Sequence, residues 1–385
     1  MDDEKENPKN IEIYPEDRKE HPFRIWDSIH AIPEILEACL KSDVVELSKQ
    51  AAREIKCRKI DKVIYSGTGS SLSVSIYGNR SLAELSDILS MNMTSYEFVN
   101  YPQPYLDKRT ALIGSSHSGG TQVILQAIEK AKKAGAYTVG VTEVPQSNLA
   151  KMSDVALIGL GGRGMAIPST RSVMTEMLCV LILNLAIADE RIPGAWNRWE
   201  DELKKIPQYT QAAIQVSDHY IPEIAERFKG LNAYYVIGTG PNCATVYDGA
   251  LKIQEISWRP ALAYQAEEAI HGPLLAVGKQ NAQILIAADG NGYERVQRIA
   301  RGLHLLDMPI FSISKLGADI KDYSSAFLGI PGEIPELISP FPYLIPLFEF
   351  AYWASVHNGQ NPDSLRLKEA NREEMYRVLT PIGTH

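Results

Sequence analysis

The 385-residue sequence predicts an α/β protein made of two tandem units, each a mostly parallel sheet covered by helices. Three observations carry this. Short, almost continuously apolar runs recur, and most end in small residues. Helical stretches alternate with several of them. The second half of the chain then echoes the first: "VIYSGTGSS" (63–71) is answered by "YVIGTGPN" (235–242), and "TALIGSSHSGGTQVILQAIEKAKKAG" by "AQILIAADGNGYERVQRIARGLHLLD". Strands covered by helices on both faces need apolar residues at nearly every position, which is the pattern of these runs. A repeat this long marks two related domains and not a solenoid.

The elements follow in chain order. Residues 1–20 form a polar, acidic arm. "HPFRIWDSIHAIPEILEACLK" is amphipathic helix punctuated by Pro33. "DKVIYSG" is a strand, a helix runs from about Ser71 to Leu85, and "MTSYEFV" (93–99) has the β-rich composition of another strand. "TALIGSS" is a strand leading into a helix, Thr121 to Ala134, closed by Gly135. "AYTVGVT" and "VALIGL" are further strands. "RIPGAWNRWEDELKKIPQYT" (191–210) is polar with early turn formers and marks a domain boundary. The second series is a strand at "AYYVIGTG", a helix from about Ala244, a strand at "QILIAADG", a helix at "YERVQRIARGLHLLD" and a strand at "PIFSIS". The expected organisation is an arm (1–20), a first domain (21–195), a second domain (210–357) and a C-terminal tail (358–385).

Composition narrows the function. The net charge of −8 offers no global field for nucleic acid. The four cysteines, Cys39, Cys57, Cys179 and Cys243, are scattered without a CxxC pair, as reduced thiols of a cytoplasmic protein would be. The start lacks a targeting pattern. The most apolar stretch, "MLCVLILNLAIA" (177–188), is too short to span a bilayer and reads as a buried core helix. No membrane partner is expected. No HxxxH or HExxH occurs, so neither a metal nor a cofactor is expected.

Two constellations carry chemistry. "SGTGSS" (66–71) and "SSHSGGT" (115–121) each sit between a strand end and a helix start. Helix N-termini offer unpaired N–H groups and partial positive charge, and Ser, Thr and Gly add donors and close approach. Ser71, Ser116, Ser118 and Thr121 could close around one anion, with His117 among them. Each motif alone is equally what a plain helix cap or turn requires. Neither is a Walker A loop or GxGxxG, so nucleotide is disfavoured. The second half keeps the fold of this region but replaces its hydroxyls with "AADGNGY", so the cup exists once. The second constellation is "LKIQEIS" with "EEAIHGP". Lys252 and Glu255 are three apart on one helix face, and His271 follows. A carboxylate and an imidazole suit proton transfer between neighbouring atoms. A surface ion pair and a turn-capping histidine would leave the same spacing.

Taken together, "GTGSS", "SSHSGGT", "PSTRSVMTEML", "LKIQEIS" and "EEAIHGP" resemble the sugar isomerase (SIS) family, from about residue 21 to the end. The closest resemblance is to its two-domain members: the isomerase half of glucosamine-6-phosphate synthase, glucosamine-6-phosphate deaminases and fructosamine-6-phosphate deglycases. The resemblance implies two flavodoxin-like three-layer (αβα) SIS domains. It assigns Ser71, Ser116, Ser118 and Thr121 to the sugar 6-phosphate, with His117 where Gln is common and Gly69 and Ser70 beside them. Ser169 matches a substrate contact, and Arg171 replaces the usual Lys. Glu255 matches the base that shuttles the C1/C2 proton, with Lys252 beside it. His271 matches the group serving ring opening or the leaving group, supplied by a neighbouring subunit, so a homodimer is implied. The tail is expected over the active site, where Lys368, Arg372 or Arg377 could replace the lysine of the synthase tail and His385 could be the last ordered contact. The chain begins Met1-Asp2, so a glutaminase activity is not expected.

The expected function is a sugar-phosphate aldose–ketose isomerase-type enzyme, acting on an amino sugar 6-phosphate by isomerisation or deamination. The alternatives are a fructosamine-6-phosphate deglycase, an isomerase of a sugar bearing a 6-sulfonate, and a non-catalytic sugar-phosphate sensor.

Overall fold

A computed structural model describes residues 18–162, 168–366 and 369–380. Most of the polar arm, Lys368 and His385 lie outside the described residues.

The first half runs α1 (Arg24–His30), α2 (Ile32–Leu40), α3 (Val44–Cys57), β1 (Lys62–Gly67), α4 (Ser70–Leu85), β2 (Leu89–Thr94), α5 (Ser95–Asn100), β3 (Thr110–Ser115), α6 (Gln122–Lys133), β4 (Tyr137–Thr142), α7 (Asn148–Met152), β5 (Val155–Ile158) and α8 (Arg171–Arg191). The connecting helix α9 (Ala195–Phe228) leads to β6 (Ala233–Gly238), α10 (Cys243–Ser257), β7 (Ala261–Gln265), α11 (Ala266–Ile270), β8 (Asn281–Ala287), α12 (Tyr293–His304), β9 (Ile310–Lys315), β10 (Ala326–Ile330), α13 (Pro340–His357) and α14 (Arg372–Leu379).

Each half carries one five-stranded, all-parallel sheet. The orders are β2-β1-β3-β4-β5 and β7-β6-β8-β9-β10, so both follow the flavodoxin-like 2-1-3-4-5 winding. The duplication seen in the sequence is thus a duplication of topology. Strand alternation divides the core. Val63, Tyr65, Ala111 and Ile113 face a central helical layer, while Ile64 and Leu112 face α6. In the second sheet Ile284 and Ile286 face the same central layer, and Leu285 faces α12. One continuous core therefore lies between the sheets, filled by α4, α8, α9, α10 and α13.

Two expectations changed on folding, and a third, the buried core helix at 177–188, is met within a longer helix. "MTSYEFV" is not one strand: β2 ends at Thr94 and α5 begins at Ser95. The helix carries Phe98, fully buried, beneath the sheet, and that tertiary burial outweighs the β-propensity of the run. The polar linker after Arg191 is mostly helix, because α9 presents Ile206, Ala213, Ile214 and Ile221 to the core. The short apolar run 177–188 is part of a longer helix, α8. Among the described residues this is the helix long and apolar enough to cross a membrane, yet 94% of its most apolar window is buried inside the fold.

Candidate functional site

The carboxyl ends of β1 and β3 form the switch point of the first sheet, because the chain continues from them in opposite directions. A cavity of about 200 Å³ opens there. The starts of three helices meet at it: α4 brings Ser70 and Ser71, α6 follows the cap residue Thr121, and α8 follows Ser169. Each helix start adds partial positive charge and N–H donors.

The cavity gathers Ser70, Ser71, Ser116, His117, Ser118, Thr121 and Ser169, all singled out from sequence. Ser116 and Thr121 hydroxyls lie 3.0 Å apart, and Ser118 Oγ accepts from Gly120 N–H at 3.2 Å. Gly119 has φ +62°, and a Cβ there would come within 2.2 Å of Ser147 Oγ, so the loop needs glycine at this turn. Gly69, also at positive φ (+60°), starts α4. Gly69 and Arg171 flank the cavity without lining it.

Sequence reading missed the acids beneath this cup. Glu176 of α8 lines the cavity floor, almost fully buried, and accepts from Ser71 Oγ at 3.2 Å. Burial pushes its carboxyl well above the usual range, and nearby Glu143 pushes it further. Glu143, after β4, accepts from Thr175 Oγ1 at 2.6 Å and Gly162 N–H at 3.0 Å. Burial raises it to about 7 against those hydrogen bonds. A lone acid inside the apolar run of α8 was the sequence signal for Glu176.

The second domain supplies the other half of the site through α10, which packs on α4. Lys252 is wholly buried and donates to Ser70 Oγ and to Glu255 Oε2, each at 2.7 Å. The pair is therefore not a solvated surface bridge. Asp248, one turn earlier on the same face, accepts from Ser73 Oγ at 3.3 Å. Burial raises Asp248 to about 6 against the pull of the Lys252 charge. Burial works to lower Lys252, but Glu255 and Asp248 outweigh it and hold the ammonium above its ordinary value.

Glu255 opens onto a groove of about 380 Å³ lined by Trp258, Arg259, Arg366 and Arg372. The described part of the tail thus meets Glu255, and Arg366 stacks on the Trp258 ring at 5.6 Å. Arg377 points elsewhere and pairs with Glu373 at 2.6 Å. Trp258, the residue after α10, has φ +57°, a left-handed conformation unusual for so bulky a side chain. His271 ends α11 with its side chain 67% exposed and pairs with Glu267 at 3.3 Å. It lines neither the cavity nor the groove.

In the second domain, the loop matching the cup receives the protein's own carboxylate: Glu336 Oε2 accepts from Asn291 N–H at 2.9 Å.

Comparison with known proteins bears on the family and the fold. Residues 55–185 match the SIS domain family. The chain is 27% identical over 352 residues to a glutamine–fructose-6-phosphate aminotransferase (isomerizing) of Thermococcus kodakarensis, covering 90% of this chain and 55% of that one. It thus spans about half the length of the curated relatives it matches. The fold superposes on the C-terminal domain of glucosamine-fructose-6-phosphate aminotransferase from Francisella tularensis with TM-score 0.81 at 20% identity, covering 89% of this chain and 97% of the other. It also superposes on glucosamine-6-phosphate deaminase from Thermotoga maritima with TM-score 0.72 at 22% identity, covering 90% and 98%. Residues 55–185 of this chain thus match the SIS domain family, and the fold around them is that of the superposed structures.

Proposed function

We propose that this protein is a sugar-phosphate isomerase-type enzyme acting on an amino sugar 6-phosphate, by isomerisation or deamination. The observation that carries the reading is the Lys252 ammonium, which ties Ser70 of the anion cavity to the Glu255 carboxylate. A phosphoryl group held by the hydroxyls and helix starts leaves the far end of an open-chain sugar toward the second domain. Glu255 then takes the proton from C2 or C1 and returns it to the neighbouring carbon through an enediol- or enaminol-type intermediate. The cavity supplies position and Glu255 supplies the base.

His271 is exposed on its own chain, which fits a role in the site of a second copy. The homodimer is part of the proposal. Leu275, four residues on and 88% exposed, offers apolar surface for that contact.

One observation favours a second reading. Three guanidinium groups line the groove at Glu255: Arg259, Arg366 and Arg372. They would suit a substrate carrying a carboxylate near C1, as a fructosamine 6-phosphate does. The enzyme would then be a deglycase releasing an amino acid. A cup of hydroxyls and N–H groups also suits a 6-sulfonate.

The test is turnover of fructose 6-phosphate, glucosamine 6-phosphate, an amino-acid fructosamine 6-phosphate and a 6-sulfonate sugar, with Glu255→Gln as control. Aldose–ketose interconversion, ammonia or free amino acid identifies the reaction. Glu255→Gln should abolish it while a sugar 6-phosphate still raises Tm. Binding without turnover of any of these would leave a sensor.

A further inference from the structure

His30, Asp218 and Glu349 meet where three helices from distant parts of the chain cross: α1, α9 and α13. One potential ligand atom from each lies within 4.8 Å of the others. His30 Nε2 is 2.9 Å from Asp218 Oδ1 and 3.1 Å from Oδ2. The other ring nitrogen, Nδ1, is 2.9 Å from the Trp26 carbonyl oxygen and donates to it. The Trp26 ring packs against the imidazole with centroids 4.2 Å apart, which fixes its orientation. Glu349 is wholly buried, and neither carboxyl oxygen has a hydrogen-bond partner.

A buried carboxyl left unpartnered is costly. This one lies within 4.8 Å of an imidazole nitrogen and a second carboxylate. From this juxtaposition we propose that His30, Asp218 and Glu349 bind a divalent transition-metal ion of the zinc type. The donor set is one imidazole nitrogen and two carboxylates, which zinc accepts and whose two negative charges match its own. The Trp26 carbonyl holds the Nδ1 proton, leaving Nε2 for the metal, as backbone carbonyls do behind ligating histidines. Ligand atoms around a tetrahedral zinc lie about 3.3 Å apart, so the cluster closes on an ion with small movements. The His30 and Asp218 side chains are 29% and 38% exposed, which leaves an entry path and room for a water as fourth ligand.

The ion would be structural. α9 connects the two sheets, α13 belongs to the second domain's share of the core, and α1 is the first helix of the described chain. A metal there staples all three helices together. No ligand lines the anion cavity or the Glu255 groove, so this site and the proposed chemistry stand or fall separately.

The experiment loads the chelator-treated full chain with zinc, desalts it, and measures metal per chain alongside Tm. Wild type should retain one equivalent and melt higher with zinc, by about 2 °C or more. His30→Gln and Asp218→Asn should each weaken that equivalent at least roughly tenfold and lose the shift. Glu349→Gln should do the same. If that buried variant fails to fold, the two part-exposed variants still decide. Wild type holding no more zinc than His30→Gln, or a shift that survives in both His30→Gln and Asp218→Asn, would overturn the site.

Discussion

Lys252 Nζ lies 2.7 Å from Ser70 Oγ and 2.7 Å from Glu255 Oε2, so a single buried ammonium joins the serine-lined cavity of one domain to the carboxylate of the other. Buried ion pairs seldom add net stability, because desolvation offsets their attraction. What this pair supplies is position. It fixes the Glu255 carboxylate relative to whatever the cavity holds.

Lys252→Met should separate these contributions. It removes the charge while keeping most of the volume. Breaking a buried pair typically costs about 3–5 kcal/mol, and here the low end is expected, since Asp248 can take up a proton in response. Turnover should fall at least about 100-fold. A variant with wild-type kcat would show that Glu255 needs no such anchor.

Ser116→Ala and Thr121→Val test the cup. Each removes one hydroxyl from the wall where the two lie 3.0 Å apart. A hydrogen bond to a charged group is worth about 1.5–3 kcal/mol, so KM should rise roughly tenfold or more with kcat nearly unchanged. Loss of kcat at constant KM would place these residues in the chemistry instead.

Glu176→Gln tests the floor of the cavity. Burial and Glu143 push Glu176 toward its neutral form, so replacing it with a neutral amide should change the Kd for a sugar 6-phosphate less than about threefold. An ionised Glu176 would repel the ligand. Binding that tightens more than tenfold in the variant, measured by calorimetry, would reveal that charge.

Glu143 gives stability a pH dependence. Its folded pKa is raised to about 7 from the ordinary 4.5. The unfolded chain therefore releases this proton first as pH rises. The stabilisation is complete below about pH 4.5, is lost progressively toward pH 7, and is flat beyond. The whole effect is about 3 kcal/mol, at 1.36 kcal/mol per pKa unit. Wild-type Tm should fall between pH 5 and 7.5, and the fall should be shallower in Glu143→Gln. Equal slopes in the two proteins would refute the assignment.

Local signals made much of this protein legible before folding. The β1, β3 and β4 runs are apolar at nearly every position because helices cover both faces, and that needs no knowledge of neighbours. The cup was visible because the small and hydroxyl residues at a helix start are contiguous, "SGTGSS" and "SSHSGGT". Lys252 and Glu255 were visible because helical spacing places them together. Asp248 obeys the same spacing and was equally there to be read.

Tertiary structure decided what contiguous residues cannot. α4 and α10 lie far apart in sequence, and only their packing carries Lys252 to Ser70 and buries it completely. Burial then shifts Glu143, Glu176 and Asp248 toward their neutral forms, since desolvation depends on what surrounds a group and not on its neighbours in the chain. The same reason hid the His30–Asp218–Glu349 cluster, whose first two members are 188 residues apart. The sequence by itself determined the two-fold α/β plan, the hydroxyl-rich loops of the cup and the helix bearing Glu255, because each is written in contiguous residues or local periodicity. Which side chains share one low-dielectric space, and so which carboxyls are pushed toward their neutral forms, was settled only when the two sheets closed on their common helical layer.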